Sequence, residues 1–270
     1  MQLAAVSAND LVLAYGSQIA IARSSFEIPK GSVAAIIGPN GSGKSTLLNA
    51  IARLTKPRSG SITTGLSETR ISYVLQTTKV NDALPISVRE VVLMGRYART
   101  GGYKLLDRTD REAVADAMER TGISDIANRP MSDLSGGQRQ RAFVAQGLAQ
   151  DHDLLLLDEP LTGIDLPTAQ AIDTIIHDEI DRGCTVIIAT HDLSEAQVAD
   201  HVVLLSGRVV ASGHPDEVIT ADNLRSAYGS ALMHVEKGKV FLDDAAHQPV
   251  EGRHVHQDRS IHTESSHPSE

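Results

Sequence analysis

Nine consecutive residues, Gly38-Pro39-Asn40-Gly41-Ser42-Gly43-Lys44-Ser45-Thr46, carry the strongest chemical signal in this chain. The glycines leave a backbone bare enough to wrap a phosphate, with successive N–H groups pointing inward at its oxygens. Glycine, four residues, then Gly-Lys-Ser is the spacing of a phosphate-binding loop. In such a loop Lys44 reaches the β- and γ-phosphates of a nucleoside triphosphate, and the Ser45 hydroxyl ligates Mg²⁺. A second cluster is Asp158-Glu159, set directly after Leu154-Leu155-Leu156-Leu157. A buried strand ending in two carboxylates would bring Asp158 to the metal. Glu159 would then meet the attacking water, as general base or as the group that orients it. Phosphoryl transfer asks for positioning and charge rather than covalent help, and these residues supply both.

Elements must hold these groups in place. Val33 to Ile37 is a continuous apolar run ending at Gly38, the pattern of a strand buried on both faces. A helix follows it, starting inside Gly43-Lys44-Ser45 and carrying Leu47, Leu48 and Ile51 on one face. Upstream, Leu11 to Tyr15 and Ile19 to Ile21 read as two strands joined by a turn at Gly16-Ser17. Ile71 to Leu75 is another short strand. From about 87 to 150 the spacing turns helical, through Val88, Val91 and Val92, then Val114, Ala117 and Met118, then a helix from Arg139 to Leu148. Strands return at Leu154 to Leu157, Val186 to Ala189 and Val202 to Leu205, with a helix over Ala169 to Ile180. The alternation predicts an α/β core with a largely parallel sheet and a helical block inserted between two of its strands.

After Tyr228 the pattern weakens. Val240-Phe241-Leu242 is expected to form a last edge strand, and 243–270 is polar and poor in aliphatics, so disorder is expected there. The expected division is one domain over 1–242, with its helical part at about 87–150, and a tail over 243–270. That tail carries His247, His254, His256, His262 and His267, and His254 with His256 could share one metal ion.

The 270 residues carry a net charge of −9, which argues against a broad nucleic-acid surface. The single cysteine, Cys184, excludes an internal disulfide and reads as a small buried residue before a strand. No apolar run is long enough to span a membrane, and Met1 to Asp10 lacks the pattern of a signal peptide. If the protein works at a membrane, it must dock onto another chain that spans it.

A third segment, Leu134-Ser135-Gly136-Gly137-Gln138, begins the helix running to Leu148. Together with the loop at Gly38 it resembles the ATP-binding-cassette (ABC) ATPases, over roughly Asn9 to Tyr228. The resemblance implies a P-loop NTPase core with an antiparallel β subdomain and an inserted α-helical subdomain. It implies ATP and Mg²⁺ as ligands and a homodimer that closes around ATP, with Ser135, Gly136, Gly137 and Gln138 facing the γ-phosphate held by the other copy. It implies that Tyr15 stacks on adenine, that Gln76 touches metal and water, that His191 holds the γ-phosphate, and that Asp165 lies in the segment crossing the dimer interface. Ser45, Gln76 and Asp158 would then surround Mg²⁺, and Lys44, Gln76, Glu159 and His191 would serve catalysis.

The segment Leu84 to Tyr97 is similar to the matching region of ATPases serving zinc and manganese importers, as is Asp158 to Asp165. Siderophore and haem importer ATPases share part of the Val91 to Arg96 pattern. The resemblance therefore implies a separate membrane permease, an extracellular or periplasmic metal-binding protein, and a position on the cytoplasmic face of the membrane. It implies no nucleic-acid partner. ABC ATPases of DNA repair carry a long coiled-coil insertion and those of translation carry two cassettes per chain, and this chain has neither. A purely regulatory cassette would carry a degraded lysine or base, whereas Lys44 and Glu159 are intact.

Deleting residues 243–270 is expected to leave ATPase activity and thermal stability close to those of the full chain. A large drop in melting temperature would refute the expectation of disorder.

Overall fold

The computed structural model describes residues 3–76, 85–97 and 106–229, together with the backbone of two strands at 233–236 and 239–242. The expected disordered tail, His254 and His256 lie outside the described residues.

The core is a six-stranded sheet in the order β5-β6-β7-β3-β8-β9. Its strands are β3 (Val33–Ile37), β5 (Ile71–Val74), β6 (Leu154–Asp158), β7 (Thr185–Thr190), β8 (His201–Leu205) and β9 (Val209–Gly213). All pairs are parallel except β8 with β9. Every residue of β6 and of β7 is buried. That explains their continuous apolar runs, since a central parallel strand is covered on both faces. Helix α1 (Lys44–Ile51) packs Leu47, Leu48 and Ile51 against one face, in a cluster with Ile36, Leu156 and Ile187.

The chain begins with a second, antiparallel sheet in the order β2-β1-β4: β1 (Ala4–Tyr15), β2 (Gln18–Pro29) and β4 (Ser59–Thr63). Both long strands extend well beyond the spans read from the sequence. Several β-bulges shift the register, one of them between Ala8 and Leu11, so the strict alternation expected of a strand is broken there. The strand expected at Val240 to Leu242 is present: β11 (Lys239–Leu242) pairs with β10 (Met233–Glu236) as a separate two-stranded sheet, while the edges of the core sheet are β5 and β9.

Between β5 and β6 lie the helices α2 (Val88–Met94), α3 (Arg108–Arg120) and α4 (Gly136–Ala149). Each begins with a reciprocal cap: Ser87 with Glu90, Asp107 with Asp110, and Ser135 with Gln138. Beyond β6 come α5 (Leu166–Asp181) and α6 (Leu193–Gln197), and after β9 come α7 (Pro215–Val218) and α8 (Ala221–Tyr228).

Arg96 locks the helical block to the core. Its guanidinium is buried and donates to Asp110 at 2.9 Å, to the Ala149 carbonyl at 2.6 Å and to Asp151 at 3.0 and 3.3 Å. One side chain thus ties the end of α2 to α3, to the end of α4 and to the entry of β6. Arg120, on α3, makes a second tie, donating to Glu179 of α5 at 2.6 Å.

Breaking a buried pair leaves an uncompensated charge and costs about 3–5 kcal/mol. Asp110 is only 1% exposed, so Arg96→Met is expected to destabilise the chain by about 3–5 kcal/mol in denaturant unfolding. A change below about 1 kcal/mol would show that this buried cluster does not hold the block in place.

Candidate active site

The loop from Gly38 to Ser45 leaves the end of β3 and enters α1. Gly38 has no room for a side chain, since a Cβ there would lie 2.1 Å from the Leu205 carbonyl oxygen of β8. Gly43, the residue before α1, has φ of 106°, a conformation that favours glycine. The Lys44 ammonium folds back over the loop and donates to the Gly38 carbonyl at 2.9 Å and to the Pro39 carbonyl at 3.5 Å. Burial pushes its pKa below the usual lysine range, opposed by the charges of Glu159 and Asp158. A desolvated ammonium lacking a full counter-ion favours an incoming polyanion.

Asp158 ends β6 beside the loop. Its Oδ2 accepts from the Tyr73 hydroxyl at 3.3 Å. Its Oδ1 is buried with no hydrogen-bond partner, as is Ser42 Oγ. Burial, helped by the charge of Glu159, raises the Asp158 pKa. A cation that accepts oxygen ligands would remove the cost of this arrangement.

Glu159 follows at the turn out of β6. Its φ is 48°, left-handed for a residue with a side chain, and its N–H is pinned to the Ala189 carbonyl of β7 at 2.9 Å. Such conformations cost about 1–3 kcal/mol and persist only where neighbours hold them. The twist brings several groups to one carboxylate. Gln76 donates to Oε2 at 2.7 Å, and the Thr162 hydroxyl lies 3.4 Å from it. His191 Nδ1 is 3.9 Å from Oε2, and Lys44 Nζ is 4.0 Å from Oε1. Residues from positions 44, 76, 158, 159 and 191 are therefore one constellation. His191 is not the cap of α6; Asp192 accepts from Ser194 N–H in that role at 2.8 Å. Tyr15 is 54% exposed at the end of β1, open for stacking.

Ser135 to Gln138 stands apart in its bonding. The Ser135 hydroxyl accepts from Gln138 N–H at 3.3 Å, and Ser135 N–H donates to the Gln138 side-chain oxygen at 3.0 Å. The two glycines differ. A Cβ on Gly137 would meet Thr168 Oγ1 of α5 at 2.8 Å, so packing inside this chain already demands glycine there. A Cβ on Gly136 would meet open space. Asp165 caps α5, accepting from Thr168 N–H at 3.0 Å, and Thr168 holds its carboxyl below the usual range.

The sequence reading omitted Tyr73 and Thr162 as site residues. Tyr73 could have been found from its place on the strand before Gln76, since strand pairing sets it next to Leu156, two residues before Asp158. Thr162 gave no signal, because only the turn after β6 brings it back to Glu159.

The strain at Asp158 predicts a trade of stability for function. A carboxyl whose folded-state pKa is raised opposes folding above that pKa, and the opposition fades as pH falls and the group takes a proton. Asp158→Asn is therefore expected to melt a few degrees above the parent at neutral pH without ligand, with the gap closing in acid. An unchanged or lower melting temperature at neutral pH contradicts the cost assigned to this carboxylate.

Residues 21–162 match the family described as ABC transporter. The chain is 38% identical over 233 residues to the chelated iron transport system membrane protein YfeB of Yersinia pestis, covering 83% of this chain and 79% of that protein. It is 38% identical over 244 residues to the manganese transport system ATP-binding protein MntB of Bacillus subtilis, covering 88% and 97%. It is 38% identical over 256 residues to the zinc transport system ATP-binding protein TroB of Treponema pallidum, covering 91% and 96%. Among solved structures, a chain of an inward-facing ABC transporter assigned to the metal-chelate type superposes with a TM-score of 0.75 at 27% identity, over 88% of this chain and 96% of that one. The chain belongs to the ABC transporter family and is one of its ATP-hydrolysing subunits.

Proposed function

We propose that this subunit powers uptake of a divalent metal ion, manganese or zinc, through a separate membrane permease. The reading of the cargo rests on the relatives named for manganese and zinc and on the likeness of Leu84 to Tyr97 to that group. The relative named for chelated iron favours a second reading, in which an iron chelate is carried. Among the described residues no helix is long and apolar enough to cross a membrane. On this reading the membrane-spanning path belongs to another chain. The protein sits on the cytoplasmic face of the membrane against that permease. An extracellular or periplasmic metal-binding protein delivers the ion, and no nucleic acid takes part. Residues 1–242 form the ATPase domain, its helical part at about 87–150, and 243–270 a separate tail.

The observation that carries the mechanism is the convergence of Gln76, Thr162, His191 and Lys44 on the Glu159 carboxylate. Backbone N–H groups of Asn40 to Thr46 cradle the phosphates, and Lys44 exchanges its carbonyl partners for phosphate oxygens. Tyr15 stacks on the adenine. The unpartnered oxygen of Asp158, with Ser45 and Gln76, fits a hard, oxygen-ligated cation, so these residues would hold Mg²⁺. Mg²⁺ when bound neutralises charge developing on the phosphate oxygens. Glu159 takes a proton from the attacking water or orients it, and His191 steadies the γ-phosphate. Gln76 bonds directly to Glu159, so a shift of Gln76 under the permease would move the base.

Ser135 to Gln138 completes the site of a second copy, with Asp165 near the shared boundary. The open space over Gly136 supports this, because nothing among the described residues of one chain requires glycine there. The homodimer therefore holds two ATP molecules, each between the loop of one copy and the Ser135 helix end of the other.

Glu159→Gln is expected to bind ATP, to hydrolyse it at least a hundredfold more slowly, and to accumulate as a dimer on size exclusion with ATP. Normal turnover in a monomeric variant would remove Glu159 from the proposed role. Lys44→Ala is expected to lose ATP binding while keeping its circular dichroism spectrum; unchanged affinity would contradict the loop assignment.

A further inference from the structure

On the far side of the fold's helical tie, three side chains with metal-binding atoms meet. They are His152 before β6, Glu179 near the end of α5, and Cys184 before β7. His152 Nε2, a Glu179 carboxylate oxygen and Cys184 Sγ all lie within 4.8 Å of one another. We propose that they form a binding site for a divalent transition ion of the zinc class, separate from the nucleotide site and independent of which cargo is carried.

The donor set is one nitrogen, one sulfur and one oxygen, a set that suits zinc and excludes calcium or magnesium as the preferred ion. A tetrahedral ion with bonds of about 2.0–2.3 Å keeps its donors about 3.5 Å apart. The cluster needs only a modest contraction to reach that spacing, and His152 Nε2 already lies 3.1 Å from Glu179 Oε2.

The surroundings are those that orient metal ligands. A metal-binding imidazole usually gives its other ring N–H to a carbonyl or carboxylate, which fixes the ring. Here His152 Nδ1 lies 2.6 Å from the Gln150 carbonyl oxygen, leaving Nε2 turned toward Glu179. The second oxygen of Glu179 is held by Arg120 at 2.6 Å, with Arg182 at 3.5 Å. His152 and Arg120 hold the carboxyl pKa down to about 2 against the opposing effect of burial. Cys184 is buried, and its thiol donates to the His152 carbonyl at 3.5 Å. Side-chain exposures of 5% for His152 and 2% for Glu179 place the pair out of bulk water. A water molecule would supply the fourth ligand.

Binding exchanges a proton for the ion. The thiol proton of Cys184 leaves as the divalent ion enters, and no electron moves. Affinity therefore rises with pH. Occupancy would join α5, the β6 entry and the β7 entry, next to the Arg120 tie to α3.

The sequence contains one cysteine, so a thiolate-to-metal charge-transfer band can come only from Cys184. The histidines of the tail cannot produce it. Titrating Co²⁺ into the reduced full chain is expected to give a near-ultraviolet thiolate band that saturates at one equivalent and is removed by Zn²⁺. Cys184→Ser should abolish the band. His152→Gln should weaken Co²⁺ binding by about 10–100-fold. Absence of the band in the parent protein would overturn the site. So would a band of unchanged affinity in His152→Gln, which would mean that the thiolate acts without its neighbours.

Discussion

One ammonium and two carboxylates held out of water at the end of a parallel sheet set the terms for the rest of this structure. Lys44, Asp158 and Glu159 come from the two segments that leave β3 and β6. Left alone they are costly: Lys44 is desolvated, Asp158 has a buried oxygen without a partner, and Glu159 sits in a left-handed backbone conformation. The fully buried strands β6 and β7 hold them there regardless, because the sheet buries enough apolar surface to outweigh the local cost. In the proposed function, what relieves the cost is ATP with its bound cation. The site is thus poised for its ligand by strain already present without it.

The helical block follows from the same constraint. Gln76 leaves β5 to reach Glu159, and the chain then builds α2, α3 and α4 before returning as β6. Arg96 and Arg120 pin that block to the β6 entry and to α5. A push on α2 therefore has a covalent route to Gln76 and an ionic route to the base of β6. In the proposed transporter these are the two paths by which a permease and the hydrolysis site would sense each other.

Much of this was legible in the chain, and for physical reasons. Val33 to Ile37, Leu154 to Leu157 and Val186 to Ala189 are apolar throughout because they are covered on both faces, and each ends where chemistry begins. The Ser135, Ser87 and Asp107 caps are local devices with local signatures. What stayed hidden depends on contacts distant in sequence. Strands β4 and β9 are short and largely unburied, so no periodicity marks them. The need for glycine at 137 comes from Thr168 on another helix, and Gly136, identical in the sequence, has no such neighbour among the described residues. Arg96 read as part of a family pattern, while its work as a buried tie emerges only when Asp110 and Asp151 are placed around it. His152, Glu179 and Cys184 carry no motif at all and meet only in the fold.

In the proposed homodimer the reaction chamber is shared between two copies, the loop of one facing the Ser135 helix end of the other. Mixing two inactive chains tests it directly. One carries Lys44→Ala and keeps an intact Ser135–Gln138 segment; the other carries Gly136→Trp and keeps an intact loop. If the chamber is shared, a mixed dimer rebuilds one complete site, and ATPase activity appears on mixing. If each copy works alone, the mixture stays as inactive as its parts, and the shared chamber is contradicted.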